Sequence, residues 1–196
     1  MIRMALCSIG ALVFVAAAAS ASEASEIHRV VTGLDADNRS TTLFDTTETL
    51  AAGASGLPSK TLWITDSYPP GFTNEDAAKR KVGITPPDNG TKILEVEFPP
   101  LNEAALAKMD PNFMMKVVGD KAPKRGVPVS NPLEHRTRTL DYAIIMSGEI
   151  DMMLDDKTVH LKAGDVVIQQ ATNHAWLNHG SEPCRIMFVL MDSKEP

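Results

Sequence analysis

The chain has 196 residues, of which 43% are hydrophobic and 5% aromatic, with a formal net charge of -6. That is one domain's worth of chain, long enough to bury a core, and its acidic balance excludes a nucleic-acid partner. The densest basic run, Lys121 to Arg125, contains a proline and no aromatic residue and reads as a solvated loop.

Residues 1–21 stand apart from the rest. Met1 to Arg3 is a short basic start, Met4 to Ala19 is apolar, and Ala19-Ser20-Ala21 forms an A-x-A cleavage site before the polar Ser22. This is the pattern of a secretory signal peptide. The apolar run, about 16 residues, is shorter than the ~20 that span a bilayer. The expected product is a secreted or periplasmic chain of residues 22–196, with no membrane attachment after cleavage. Loss of Arg3 makes the mature chain one unit more acidic. Loss of Cys7 leaves Cys184 alone, so no internal disulfide is expected, and its place at the head of an apolar strand predicts a buried, inert thiol.

Ile27 to Val31 and Ser40 to Phe44 flank a turn-rich Gly33–Asn38 and predict a hairpin. Asp45 to Ser59 reads as an irregular loop, Thr61 to Thr65 as a strand, and Asp66 to Asn89 as Pro- and Gly-rich loops. Lys92 to Phe98 alternates Ile93, Glu95 and Glu97 against Leu94, Val96 and Phe98, which predicts a strand with one wet face. Asn102 to Met109 is the one convincing helix, with Asn102 as N-cap and Asp110-Pro111 as its stop. Pro111 to Leu133 has no clear period. Placed where it is, this helix-and-loop excursion either covers a barrel mouth or simply crosses the surface.

From His135 to Met191 the pattern is almost pure strand. Thr139 to Met146, Glu149 to Leu154, Thr158 to Lys162, Val166 to Gln169, His174 to Asn178 and Cys184 to Met191 are separated by Ser147-Gly148, Asp155–Lys157, Ala163–Asp165 and His179–Ser181. Short strands with turn residues at every joint predict an all-β antiparallel barrel or sandwich. Ile145, Ile150 and Phe188 are expected to be buried, and Glu97 and Glu149 to lie on exposed or rim faces.

Two segments of this stretch resemble the cupin motifs. His135-x-Thr137-x3-Asp141-x6-Gly148 is similar to G-x5-H-x-H-x3,4-E-x6-G, with Thr137 where the second histidine stands and Asp141 in place of Glu. Gly164 leading to His174-x3-Asn178 is similar to G-x5-P-x-G-x2-H-x3-N, with a loop one residue shorter that lacks the Pro and Gly. The likeness extends to Arg29–Gly33 and Glu97–Pro100, and the chain resembles a small single-domain cupin of a poorly characterised bacterial and fungal subfamily. The resemblance implies a cupin-type antiparallel jelly-roll barrel with one short helix and long N-terminal loops: one domain over 22–196, its core barrel about 92–192. Such barrels leave strand edges, and a homodimer is expected.

Strand parity places the candidate site. His135, Thr137, Thr139, Asp141, Ala143 and Ile145 share one face, and His174, Trp176 and Asn178 share another. A barrel brings the two together, so two imidazoles and a carboxylate converge beside an indole. His135, Asp141 and His174 are the candidate metal ligands, with Thr137 and Trp176 lining a substrate site; no catalytic residue is assigned. Two His and one carboxylate suit Fe or Mn and tolerate Zn or Ni. With Thr137 supplying only a neutral hydroxyl, the same residues also suit a site with no metal. His28, His160 and His179 are expected to face solvent. The methionines Met146, Met152, Met153, Met187 and Met191 fit either adaptable core packing or a pliable ligand pocket. Three functions follow: a metal-dependent oxidoreductase or dioxygenase acting on an aromatic or polyketide-like compound, a metal-free small-molecule binding or sensing module, or a secreted storage protein.

Overall fold

The computed structural model describes residues 25–119, 123 and 126–194; the expected signal peptide lies outside them. The chain opens with a hairpin of β1 (Glu26–Leu34) and β2 (Ser40–Thr49). Its turn is built by the Asp35 carboxylate, which accepts from the backbone N–H of Asp37 (2.9 Å) and Arg39 (3.0 Å). The Thr-rich stretch after Phe44 continues as strand to Thr49, where a loop was expected, because each residue pairs across to β1. A buried arginine pins the hairpin to the rest. Arg29 donates to both oxygens of Asp76 (2.8 and 3.0 Å) and to the Leu62 carbonyl (3.2 Å), and it pairs with Glu48 at 3.0 Å. This guanidinium holds the Asp76 carboxyl well below the usual range.

The remaining strands form two antiparallel sheets. β3 (Ala51–Ala52), β4 (Pro58–Thr65), β5 (Thr91–Phe98), β6 (Thr139–Ser147), β9 (Val166–Gln170) and β11 (Cys184–Asp192) make a six-stranded sheet in the order β3-β4-β5-β11-β6-β9. β7 (Glu149–Met153), β8 (Thr158–Lys162) and β10 (Ala175–Leu177) make a three-stranded sheet in the order β10-β7-β8. The two sheets form a cupin-type jelly roll of all-β architecture. Its core is Ala143, Ile145, Ile150, Met152, Leu161, Trp176, Cys184 and Ile186. Burial in β6 alternates as period two requires, with Thr139, Asp141, Ala143 and Ile145 inward.

Gly148 makes the tight turn from β6 to β7 at φ +73°. A Cβ there would stand 2.6 Å from the Pro183 carbonyl oxygen, so only glycine fits. Cys184 is fully buried, and burial pushes its thiol up to about 11, the inert state expected of it.

The expected helix is present as α1 (Glu103–Leu106), with the Asn102 side chain accepting from Ala105 N at 3.0 Å. The single expected helix becomes two, since α2 (Phe113–Val118) occupies the stretch that lacked a period. Six residues are too few turns to print a periodicity. Phe188 is only partly buried: it packs against the edge of the core and also lines a cavity. Glu97, half-buried, accepts from the Ser25 hydroxyl.

Candidate functional site

The space between the sheets is a cavity of about 490 Å³, a size typical of small-molecule sites. Inward residues of β5 (Lys92, Leu94, Val96, Phe98) and of β11 (Phe188, Leu190) form one wall. Leu106, Met109, Phe113 and Met114, from α1, α2 and the turn between them, also line it, so this excursion covers the cavity instead of merely crossing the surface. His135, Thr137, Asp141, His174, Trp176 and Asn178 all line the same cavity, as their parity predicted.

His135 and His174 are brought together by backbone pairing. Each donates its N–H to the other's carbonyl, at 2.9 and 3.0 Å, and the ring centroids stand 4.3 Å apart. Each Nδ1 lies 3.0 Å from the carbonyl oxygen two residues back, Leu133 for His135 and Thr172 for His174. A carbonyl only accepts, so Nδ1 carries the proton in both rings and Nε2 is the basic nitrogen. The motif loop between β9 and β10 has Ala171 in the left-handed region, at φ 50°.

Asp141 is buried, and its Oδ2 accepts from Gln169 Nε2 at 3.1 Å. Its Oδ1 is buried without a hydrogen-bond partner. Burial pushes the carboxyl up to about 6 against a downward pull from the Thr139 hydroxyl. The Thr137 hydroxyl is 2.8 Å from that of Thr139.

The indole of Trp176 sits in an aromatic group, 5.7 Å from Phe188, 6.0 Å from His174 and 6.4 Å from Phe98 between ring centroids. It both closes the core and faces the cavity. Asn178 holds structure: its amide donates to the carbonyls of Phe98 and Glu182, both at 2.8 Å, and its oxygen accepts from Gly180 N at 2.9 Å. None of Met146, Met152, Met153, Met187 and Met191 lines the cavity, whose methionines are Met109 and Met114; of the two accounts of the barrel methionines, a pliable ligand pocket is not found, and Met152 packs in the core.

Lys92 is the residue that sequence reasoning missed. It shares parity with Leu94, Val96 and Phe98, and that was the available signal. Only 6% exposed, it donates from Nζ to the carbonyls of Gly83 (2.8 Å) and Ile84 (3.3 Å), and burial lowers it to about 8. Cross-strand register sets Ile64, Lys92, Leu190, Asp141 and Gln169 in one inward row across the six-stranded sheet.

His28, His160 and His179 are exposed, as expected, and each meets a carboxylate: Asp45 for His28 (2.7 Å) and Asp151 for the other two (both 2.8 Å). The two cavity imidazoles are suitable nitrogen ligands for a transition metal, and Asp141 lines the same cavity. Among the described residues, however, no group of three His, Cys, Asp or Glu side chains is arranged to hold an ion. As placed, the carboxylate is engaged with Gln169 and does not complete the pair.

Residues 125–190 match the cupin domain family. A cupin-domain-containing oxidoreductase of Neurospora crassa is 44% identical over 75 residues, 36% of this chain and 37% of that protein. Phomopsin biosynthesis cluster protein D of Diaporthe leptostromiformis is 41% identical over 69 residues, 34% of this chain and 36% of that protein. The match therefore spans little more than a third of these relatives. A cupin 2 conserved barrel domain protein from Salinispora arenicola is similar in structure at 14% identity, with a TM-score of 0.39 over 74% of this chain and 82% of that one.

Proposed function

The chain belongs to the cupin superfamily, and from that premise we propose a small-molecule oxidoreductase whose substrate, an aromatic or polyketide-like compound, occupies the cavity between the sheets. The observation that carries this reading is the histidine pair, 4.3 Å apart in the wall of an otherwise largely apolar cavity. Names of two kinds among the relatives, oxidoreductase and biosynthesis cluster protein, support it.

His135 and His174 are the residues that would hold a divalent Fe, Mn, Zn or Ni ion. When bound, such an ion supplies a Lewis-acid or redox centre. The chain's own residues do the rest. Phe98, Trp176 and Phe188 pack against the apolar body of the compound, and the helical cover of Leu106, Met109 and Phe113 keeps water from it. Thr137 offers a hydroxyl that both donates and accepts.

Elemental analysis of protein purified without an affinity tag tests this. One transition metal per chain, lost in His174→Ala, is the expected result. Protein free of metal at every pH, yet carrying a small molecule through purification, favours the second reading, a metal-free binding or sensing module. The hold of Gln169 on Asp141 is the observation on that side.

Two further properties belong to this proposal. The mature chain is exported after cleavage behind Ala21, which N-terminal sequencing of the secreted product tests. It pairs as a homodimer through the outer face of the six-stranded sheet, where Met146, Val166 and Ile168 are each more than half exposed.

A further inference from the structure

We infer that Lys92 is an anion anchor in the cavity, and that the compound taken there carries a carboxylate on an apolar body. The inference rests on the reading of the cavity as a ligand site and adds the class of ligand.

An ammonium has three hydrogens to donate. Among the described residues Lys92 Nζ finds two acceptors, the carbonyls of Gly83 and Ile84. Both are neutral. No carboxylate of the described residues lies within ion-pair distance of it, and burial is the sole cause of its shift. The acid in its row, Asp141, is two strands away with Leu190 between them. A cation taken out of water without a counter-charge is costly. A counter-charge carried in by whatever enters the site would offset that cost.

The surroundings say what that is. Val82 and Ile84 on the loop, and Leu94, Val96 and Leu190 on the sheet, line the same cavity as Lys92. A carboxylate satisfies the third hydrogen and the charge together, and the apolar lining takes the body attached to it. A neutral alcohol of the same shape supplies the acceptor and not the charge.

The test is calorimetric titration of the full chain, treated with EDTA, with 4-phenylbutanoate and with 4-phenylbutanol. The expected result at pH 7 is acid binding at least tenfold tighter than alcohol binding, a preference lost in Lys92→Met. In the wild-type protein, which needs no variant to fold, the acid's affinity falls about tenfold per pH unit above 8 while the alcohol's stays level. Equal binding of the two probes, or an acid preference that survives Lys92→Met, overturns the anchor and leaves the ligand site standing. If neither probe binds, both readings fail together. Turnover and metal content do not enter the measurement, so a failure of the oxidoreductase proposal is seen separately.

Discussion

Lys92 and Asp141 stand in the same inward row of the six-stranded sheet, both facing the cavity, with only Leu190 between them. Two strand spacings put their backbones about 10 Å apart, so base and acid share a cavity without sharing an ion pair. Neither charge offsets the desolvation cost of the other.

For Lys92 this fixes a pH dependence. Its ordinary value of 10.5 is lowered to about 8. Between those values the unfolded chain holds the proton more tightly, so stability rises with pH across that window and is lowest below pH 8, where both states are charged. The full rise is on the order of 3 kcal/mol. Urea unfolding from pH 7 to 10.5 checks it, and Lys92→Met is expected to flatten the rise.

Asp141 gives the complementary case. Its Oδ1 is buried with no partner, and an amide in its place carries no charge to desolvate. Asp141→Asn is expected to stabilise EDTA-treated protein at pH 7 by up to about 3 kcal/mol, the counterpart of the carboxyl's rise to about 6 on burial, measured by denaturant unfolding. A destabilised variant would show that the carboxylate makes a favourable contact that its present surroundings do not explain.

The short motif loop holds Ala171 at φ 50°, a conformation that costs an L-residue roughly 1–2 kcal/mol. Glycine relieves that strain, at some cost in the entropy of the unfolded chain. Ala171→Gly is expected to raise the melting temperature by a few degrees, the counterpart of about 1 kcal/mol in a chain this size. Calorimetry decides it.

β9 is an edge strand, paired on one side only, and Val166 and Ile168 point outward from it. A charge placed there would break the apolar contact proposed between copies. Light scattering after size exclusion is expected to give a dimer for the wild-type chain and a monomer for Ile168→Asp. A wild-type monomer ends the proposal.

The facing of β6 was legible in the sequence because a two-residue period is written into it, with Thr139, Asp141, Ala143 and Ile145 buried; the wet face expected of β5 was not found, since Glu95 on it is buried against Arg185. The meeting of His135 with His174 was legible for the same reason, helped by the motif spacing. Lys92 was not read, although its parity with Leu94 put it inward, because a lysine beside a loop reads as solvated. Nor was the hold of Gln169 on Asp141, since it depends on which residue of β9 falls opposite which residue of β6. Register between distant strands is set by packing, not by local pattern. α2 escaped because six residues carry less than two turns.

The position of β11 has a consequence for how this molecule comes into being. The last strand in sequence lies between β5 and β6 in the sheet and supplies Phe188 and Leu190 to the cavity. Until it inserts, β5 and β6 have no common neighbour, and the wall that β11 shares with β5 is incomplete. Pairing over so long a loop is entropically slow, so completion of the sheet waits on β11, the last of the described strands. A chain halted before Cys184 has the helical cover, both histidines and the β5 part of that wall, and leaves the cavity open where Phe188 and Leu190 belong.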